Sequence, residues 1–222
     1  MLQTATINFL KELKKNNNKP WFDLNRKKYE SAKADFAAFI QQVIDQHGKK
    51  DPGINGLLAK DCMFRINRDT RFAKDKSPYK TNFGASINKG GKKAWNTAGY
   101  YFHLEPGSCF TGGGIYMPEP EVLKKIRQEI DYNLPAFKKI LSSKKFSGVY
   151  NGLNKNPEYL LSRVPKGFEA DNPAAEYLKL KSYIAMAPLS NTDLTSKDLV
   201  KKTVAAFEAL QPLIAFINQG VE

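Results

Sequence analysis

The 222-residue sequence predicts an α+β fold, a mostly antiparallel sheet flanked by helices. Three observations predict it. Apolar residues recur at helical spacing up to residue 48 and again beyond residue 119; over residues 62–116 the period drops to two; and the period-two segments are joined by Gly-rich turns, Gly90-Gly91 and Pro106-Gly107. Helices packed around such a meander define the α+β class.

Ile7, Leu10 and Leu13 sit three apart and predict a helix over about 3–15, stopped by Asn16-Asn17-Asn18. Pro20 suits the first turn of a second helix. Phe22, Tyr29, Phe36, Ile40, Val43 and His47 carry its apolar stripe to Gly48, which predicts one long helix. Then Cys62, Phe64 and Ile66 alternate with Met63, Arg65 and Asn67. Phe83, Ala85 and Ile87 alternate with Asn82, Gly84, Ser86 and Asn88, and Tyr100, Phe102 and Leu104 with Tyr101, His103 and Glu105. A further strand is expected over Ser108 to Tyr116, giving a meander with one face on a core and one facing out.

Beyond it, Val122, Leu123, Ile126, Ile130 and Leu134 mark a helix that opens at Pro120. Residues 142–175 are broken by Ser-Gly, Asn-Pro and Pro-Lys-Gly and predict irregular structure. A late strand is expected over 182–189, and a helix over 196–218 kinked near Pro212. No repeat, low-complexity tract or linker divides the chain. One domain over 1–222 is therefore expected: a helical section to about 48, the sheet over about 60–116, and a helical and irregular section from about 119.

Composition narrows the function classes. Thirty-five Lys and Arg against 22 Asp and Glu leave +13, and the excess is lopsided: residues 1–100 carry +11 and residues 101–222 carry +2. No run approaches the ~18 apolar residues of a membrane span, and the start lacks the charged and apolar regions of a signal peptide, so a cytoplasmic protein with no membrane partner is expected. Two cysteines, Cys62 and Cys109, make neither a disulfide framework nor a thiolate metal site, and two histidines nearly exclude His-based zinc chemistry. No metal and no cofactor are expected. Ser86 to Lys93 lacks the first glycine and the final hydroxyl of a phosphate loop, and no Gly-x-Ser-x-Gly elbow marks a serine nucleophile. Gly112-Gly113-Gly114 reads as a bulged strand where backbones approach closely, against the alternative of an anion held by glycine amides. His47, in a last helical turn, reads as structural.

The densest feature is the stretch 64–82. Arg65, Arg68 and Arg71, three of the six arginines, fall within seven residues, and Lys74, Lys76 and Lys80 continue the series. Arginine's planar fork suits carboxylate and phosphate geometry, which makes Arg65, Arg68, Arg71, Lys74, Lys76, Tyr79 and Lys80 candidate anion-binding residues. Asp69 and Asp75 within the same stretch offer the competing account, internal ion pairs that pin a long loop.

This stretch, Phe64-Arg65-Ile66-x-Arg68-Asp69-x-Arg71-Phe72-x-Lys74-Asp75-Lys76-x-Pro78-Tyr79-Lys80, resembles the hallmark of an uncharacterised family, domain of unknown function 2461. Asn17 to Tyr29 around Trp21-Phe22-Asp23, Tyr100 to Arg127 with the triple glycine, and Pro165-Lys166-Gly167 with Asp171-x-Pro173 are similar to the same family, so the resemblance spans nearly the whole chain. It implies an α+β single domain and carries over no activity, cofactor or catalytic residue. Ala73 stands where the family often has serine, which puts any hydroxyl role at that position in doubt.

Strand parity supplies a second constellation. Tyr101, His103 and Glu105 share a face opposite Tyr100, Phe102 and Leu104, and Arg65 and Ser86 oppose apolar neighbours in their own strands. A His beside a carboxylate suits general-base work, so Tyr101, His103 and Glu105 are candidate catalytic residues; a water-facing polar sheet surface is the plainer reading. Three functions compete. One is a basic surface binding a phosphate-bearing ligand or nucleic acid. The second is an enzyme acting on an anionic small molecule with Arg65, His103 and Glu105 in the site. The third is an interaction protein whose arginines serve only internal ion pairs. The +11 half favours a polyanion.

Overall fold

A computed structural model describes residues 1–221. Most of its elements follow from the patterns above, and three differences bear on the site. Helix α1 (Thr4–Lys15) buries Ile7, Phe9, Leu10 and Leu13 at helical spacing. Helices α2 (Lys19–Leu24) and α3 (Arg26–His47) replace the single long helix expected over 20–48. The Asn18 side chain accepts from the Trp21 N–H to start α2. Asn25, at φ −103° and ψ 16°, leaves helical geometry, and its side-chain Nδ2 donates to the Trp21 carbonyl, which ends α2 there. The turn at Asn25 lets Phe22 stack on Tyr79, with ring centroids 3.9 Å apart, while α3 goes its own way.

The second difference concerns residues 62–67, which form no strand. Ala59–Cys62 is a single helical turn, α4, and the chain then touches the sheet through one bridge, Met63 to Ala85. Cys62, Met63 and Ile66 are all buried while Phe64 is only half-buried. Adjacent buried residues break the period-two rule that the alternation of Phe64 and Ile66 suggested.

Strands β1 (Phe83–Ile87), β2 (Gly99–Leu104), β3 (Phe110–Ile115) and β4 (Tyr183–Pro188) form one antiparallel sheet in the order β1-β2-β3-β4. Between β3 and β4 lie α5 (Pro120–Tyr132), α6 (Leu134–Ser142), α7 (Lys144–Ser147), irregular chain and α8 (Ala175–Leu178). A short α9 (Asn191–Leu194) and the long α10 (Leu199–Gln219), which runs on through Pro212, follow β4.

The triple glycine is the third difference. Residue-for-residue pairing of β3 with both neighbours is unbroken, so there is no bulge. The close approach is real nevertheless. Gly113 and Gly114 take φ of +157° and +115°, and a Cβ on Gly114 would lie 1.9 Å from the Tyr183 carbonyl oxygen. Only glycine fits there.

One sheet face is the core. Phe83, Ala85, Ile87, Tyr100, Phe102, Leu104, Tyr183 and Ala185 are buried on it. Phe36 and Phe39 of α3 pack on Phe83 and Phe102, and Phe207 of α10 stacks on Tyr100 with centroids 4.6 Å apart. His47, in the last turn of α3, is fully buried edge-on to Tyr100, and burial holds its pKa below the ordinary value. The other sheet face is left uncovered by helices. Among the described residues, no helix is long and apolar enough to cross a membrane.

Candidate functional site

Register places the uncovered face in rows. Ser86, Tyr101, Gly112 and Met186 lie side by side across the four strands, and Gly84, His103, Phe110 and Pro188 form the next row. Gly99, Gly114 and Ile184 form a third. Glycine at Gly99 and Gly114 leaves bare backbone where side chains would otherwise stand. Over this floor opens a cavity of about 590 Å³, within the size range of small-ligand pockets. Its walls are aromatic. Phe64 and the 70% exposed Trp95 stand beyond the β1 side, with centroids 6.4 Å apart. Tyr116 and Tyr159 meet edge-to-face at 5.6 Å beyond the β4 side, their hydroxyls 3.4 Å apart.

Tyr101 and His103 face this cavity. The Tyr101 hydroxyl lies 3.0 Å from His103 Nδ1, and Asn82 Nδ2 lies 3.5 Å from the same atom. Both neighbours offer protons, so Nδ1 accepts; the other ring nitrogen, Nε2, then carries the proton and donates to Glu105 Oε2 at 3.4 Å. The Glu105 carboxylate accepts a second bond from the Thr81 hydroxyl at 2.8 Å, with the Lys14 ammonium 3.8 Å away. Phe110 stacks flat on the imidazole, centroids 4.8 Å apart.

Burial lowers the His103 pKa and outweighs the raising effect of Glu105, so the ring is neutral at pH 7. For Glu105 the balance runs the other way. Burial pushes its pKa up, but hydrogen bonds from Thr81 and His103 and the charges of His103 and Lys14 bring it below the ordinary value. Burial, seconded by the Glu105 charge, raises the Tyr101 hydroxyl to about 12. A neutral imidazole beside an ionised carboxylate, with a phenol on its free nitrogen, is a chain along which a proton can move.

A second opening, of about 380 Å³, is lined by hydrogen-bond partners of this chain. Thr81 and Asn82, the partners of Glu105 and His103, line it together with Lys14, Arg68 and Lys80. Lys80 also sits over the Phe64 ring, 5.3 Å from its centroid, and burial, with Arg65 nearby, lowers its ammonium pKa. The aromatic cavity and the basic cleft are thus separated by the His103–Glu105 pair.

The basic segment itself is a closed loop. Reciprocal backbone bonds at Arg68 to Pro78 and Lys80 to Ile66 shut its base. Arg68 pairs with Asp75 at 2.5 Å, and Arg71 grips Asp69 with two bonds of 3.0 and 2.7 Å. Lys76 donates to the Thr70 carbonyl. The hydroxyl and amide of Ser77, then Arg68, hold the Asp75 carboxyl well below the usual carboxylate range. The Tyr79 ring lies buried against Phe22, its backbone N–H and C=O both bonded to the Asn17 amide. Arg65 and Lys74 are exposed on the surface.

The structure therefore brings together Tyr101, His103, Glu105, Lys14, Arg68 and Lys80. It does not put Arg65 in a strand beside His103, because residues 62–67 leave the sheet. Lys14, Tyr116 and Tyr159 were missed by the sequence reading, whereas Trp95 stood out in it as a possible stacking aromatic. The signal that points to the cavity is the pair Gly112 and Gly114, at period two on the same face as Tyr101 and His103. Among the described residues no group of three metal-ligating side chains occurs.

A profile of the family described as "Conserved hypothetical protein (DUF2461)" matches residues 5–216, so the chain belongs to that family. No curated protein and no solved structure matches the chain.

Proposed function

We propose that this DUF2461 protein binds a small anionic molecule with a planar apolar body, and that His103, paired with Glu105, exchanges a proton with it. The observation that carries the reading is the hydrogen-bonded chain whose members and partners line two separate openings. Tyr101 and His103 line an aromatic cavity over a glycine floor, while Asn82 and Thr81, which bond His103 and Glu105, line a separate cleft with Lys14, Lys80 and the Arg68–Asp75 pair. Aromatic walls favour a flat ring, and a partly desolvated ammonium such as Lys80 gains from an anion. In this arrangement Tyr101 contacts the ligand, neutral His103 receives its proton at Nδ1, and Glu105 stabilises the imidazolium that results.

The test uses 1-naphthyl phosphate as the probe. Trp21→Phe leaves Trp95 as the remaining tryptophan, at the cavity rim. Titration should quench its emission saturably. Ser86→Phe, which fills the middle row of the floor, should abolish the effect, and Lys80→Gln should weaken it. Unsaturable quenching, or saturable quenching indifferent to Ser86→Phe, defeats the proposal.

A further inference from the structure

The loop that springs from the cavity wall carries a feature that the small-ligand reading does not use. Phe72, at its tip, is 96% exposed, the most exposed large apolar side chain among the described residues. The loop beneath it is not loose. Its base is shut by backbone bonds, and Arg68–Asp75, Arg71–Asp69, Ser77–Asp75 and Lys76–Thr70 bonds at its surface tie the turn together. The Arg71 guanidinium lies 5.9 Å from the Phe72 ring centroid. A rigid loop thus holds an aromatic ring out in water, where hydrophobic burial would ordinarily remove it.

We propose that Phe72 is a stacking platform for single-stranded nucleic acid, with the backbone phosphates tracking Lys74, Lys76, Arg71 and Arg65 around it. Charge complementarity selects this partner. The stretch 65–80 holds six cations and two carboxylates, and the first hundred residues carry +11. A basic track interleaved with an exposed ring is how proteins hold single strands without reading sequence, because every base has a face on which to stack. A membrane surface fits less well, since one phenyl ring with two aspartates below it offers little apolar area to insert. Preorganisation strengthens the case: the loop's geometry is already set, so little ordering entropy is lost on binding.

The proposal is independent of the cavity. Fluorescence anisotropy with a labelled twelve-nucleotide oligo-dT, at about 50 mM salt where counterion release favours binding, should show wild-type affinity that falls steeply as salt rises. Phe72→Ala should weaken it about five- to a hundredfold, the range for losing one stacked base, with a nearly unchanged thermal melt because the ring gives up only its contact with the exposed Arg71 guanidinium. Phe72→Trp should restore binding, with its emission quenched by the oligonucleotide. Absence of wild-type binding, or Phe72→Ala binding like the wild type, overturns the proposal. So does Phe72-dependent binding to phosphatidylserine vesicles without binding to the oligonucleotide. None of these outcomes touches the naphthyl phosphate titration, so the two readings fail separately.

Discussion

Gly114→Ala tests the strand geometry on which the cavity floor depends. At φ +115° an alanine is forced into a region L-residues rarely adopt, at a cost of about 1–3 kcal/mol. Its Cβ would also sit 1.9 Å from the Tyr183 carbonyl oxygen and 3.0 Å from that carbonyl carbon, both backbone atoms of β4. Relief requires β3 and β4 to part locally, and each ladder hydrogen bond given up costs about 1 kcal/mol. Against this, losing glycine's freedom in the unfolded chain returns only about 0.4–1 kcal/mol. The net expectation is a loss of about 2–4 kcal/mol, a large share of a typical domain's total of about 5–15 kcal/mol. Guanidinium chloride unfolding measures it. Gly84→Ala is the internal control, because the three atoms nearest the added Cβ all belong to the Tyr101 side chain, the hydroxyl first at 2.6 Å. The ring swings aside, so stability should change by less than about 1 kcal/mol while Tyr101 leaves His103. A loss under about 1 kcal/mol for Gly114→Ala, or equal losses for the two variants, would refute the argument.

Two further predictions follow from the ionisable groups. Glu105 raises the His103 pKa, so Glu105→Gln should move the His103 titration seen by NMR to still lower pH; a rise would mean that the pair is not coupled as described. Both histidines are held below the ordinary 6.5 by burial, His47 with Asp51 and Glu208 pulling its pKa up and Lys50 pulling it down. The unfolded chain therefore binds protons first, so stability present above about pH 6.5 is lost as pH falls below it. Melting temperature should drop between pH 7.5 and 5.5, and His47→Phe should flatten the drop; a level wild-type profile would contradict the assignment.

Period-two alternation at Phe83–Ile87 and Gly99–Leu104 wrote the sheet legibly, because each strand has one buried face and a slip of one residue would expose it. The same logic put Tyr101, His103 and Ser86 on one face, as observed. It misled at Phe64 and Ile66, where two apolar residues serve different ends, one lining the cavity and one entering the core. Asn25 was unreadable as a break because the apolar stripe passes through it. Lys14 and the Tyr116–Tyr159 wall reach the site from elements distant in sequence, and no local pattern encodes such meetings. The aspartates beside Arg68 and Arg71 were visible; the closure of the loop pairs Asp75 with Arg68 across it and Asp69 with Arg71 within it.

The place of β4 in the chain has a consequence for synthesis. Strands β1 to β3 are complete by Ile115, but Ile184 and Met186, the far side of the cavity floor, come only after residues 116–182. Until then β3, with three glycines and no charged side chain along Phe110–Ile115, is an exposed edge with nothing to deter a foreign strand. Its core face waits longer still, for Leu210 of α10. A ribosome-bound chain therefore holds the Phe64–Trp95 wall and the His103–Glu105 pair well before it owns a pocket. Fragments ending short of Tyr183 should be sticky rather than merely inactive, and a chaperone has its longest task at that stage of elongation.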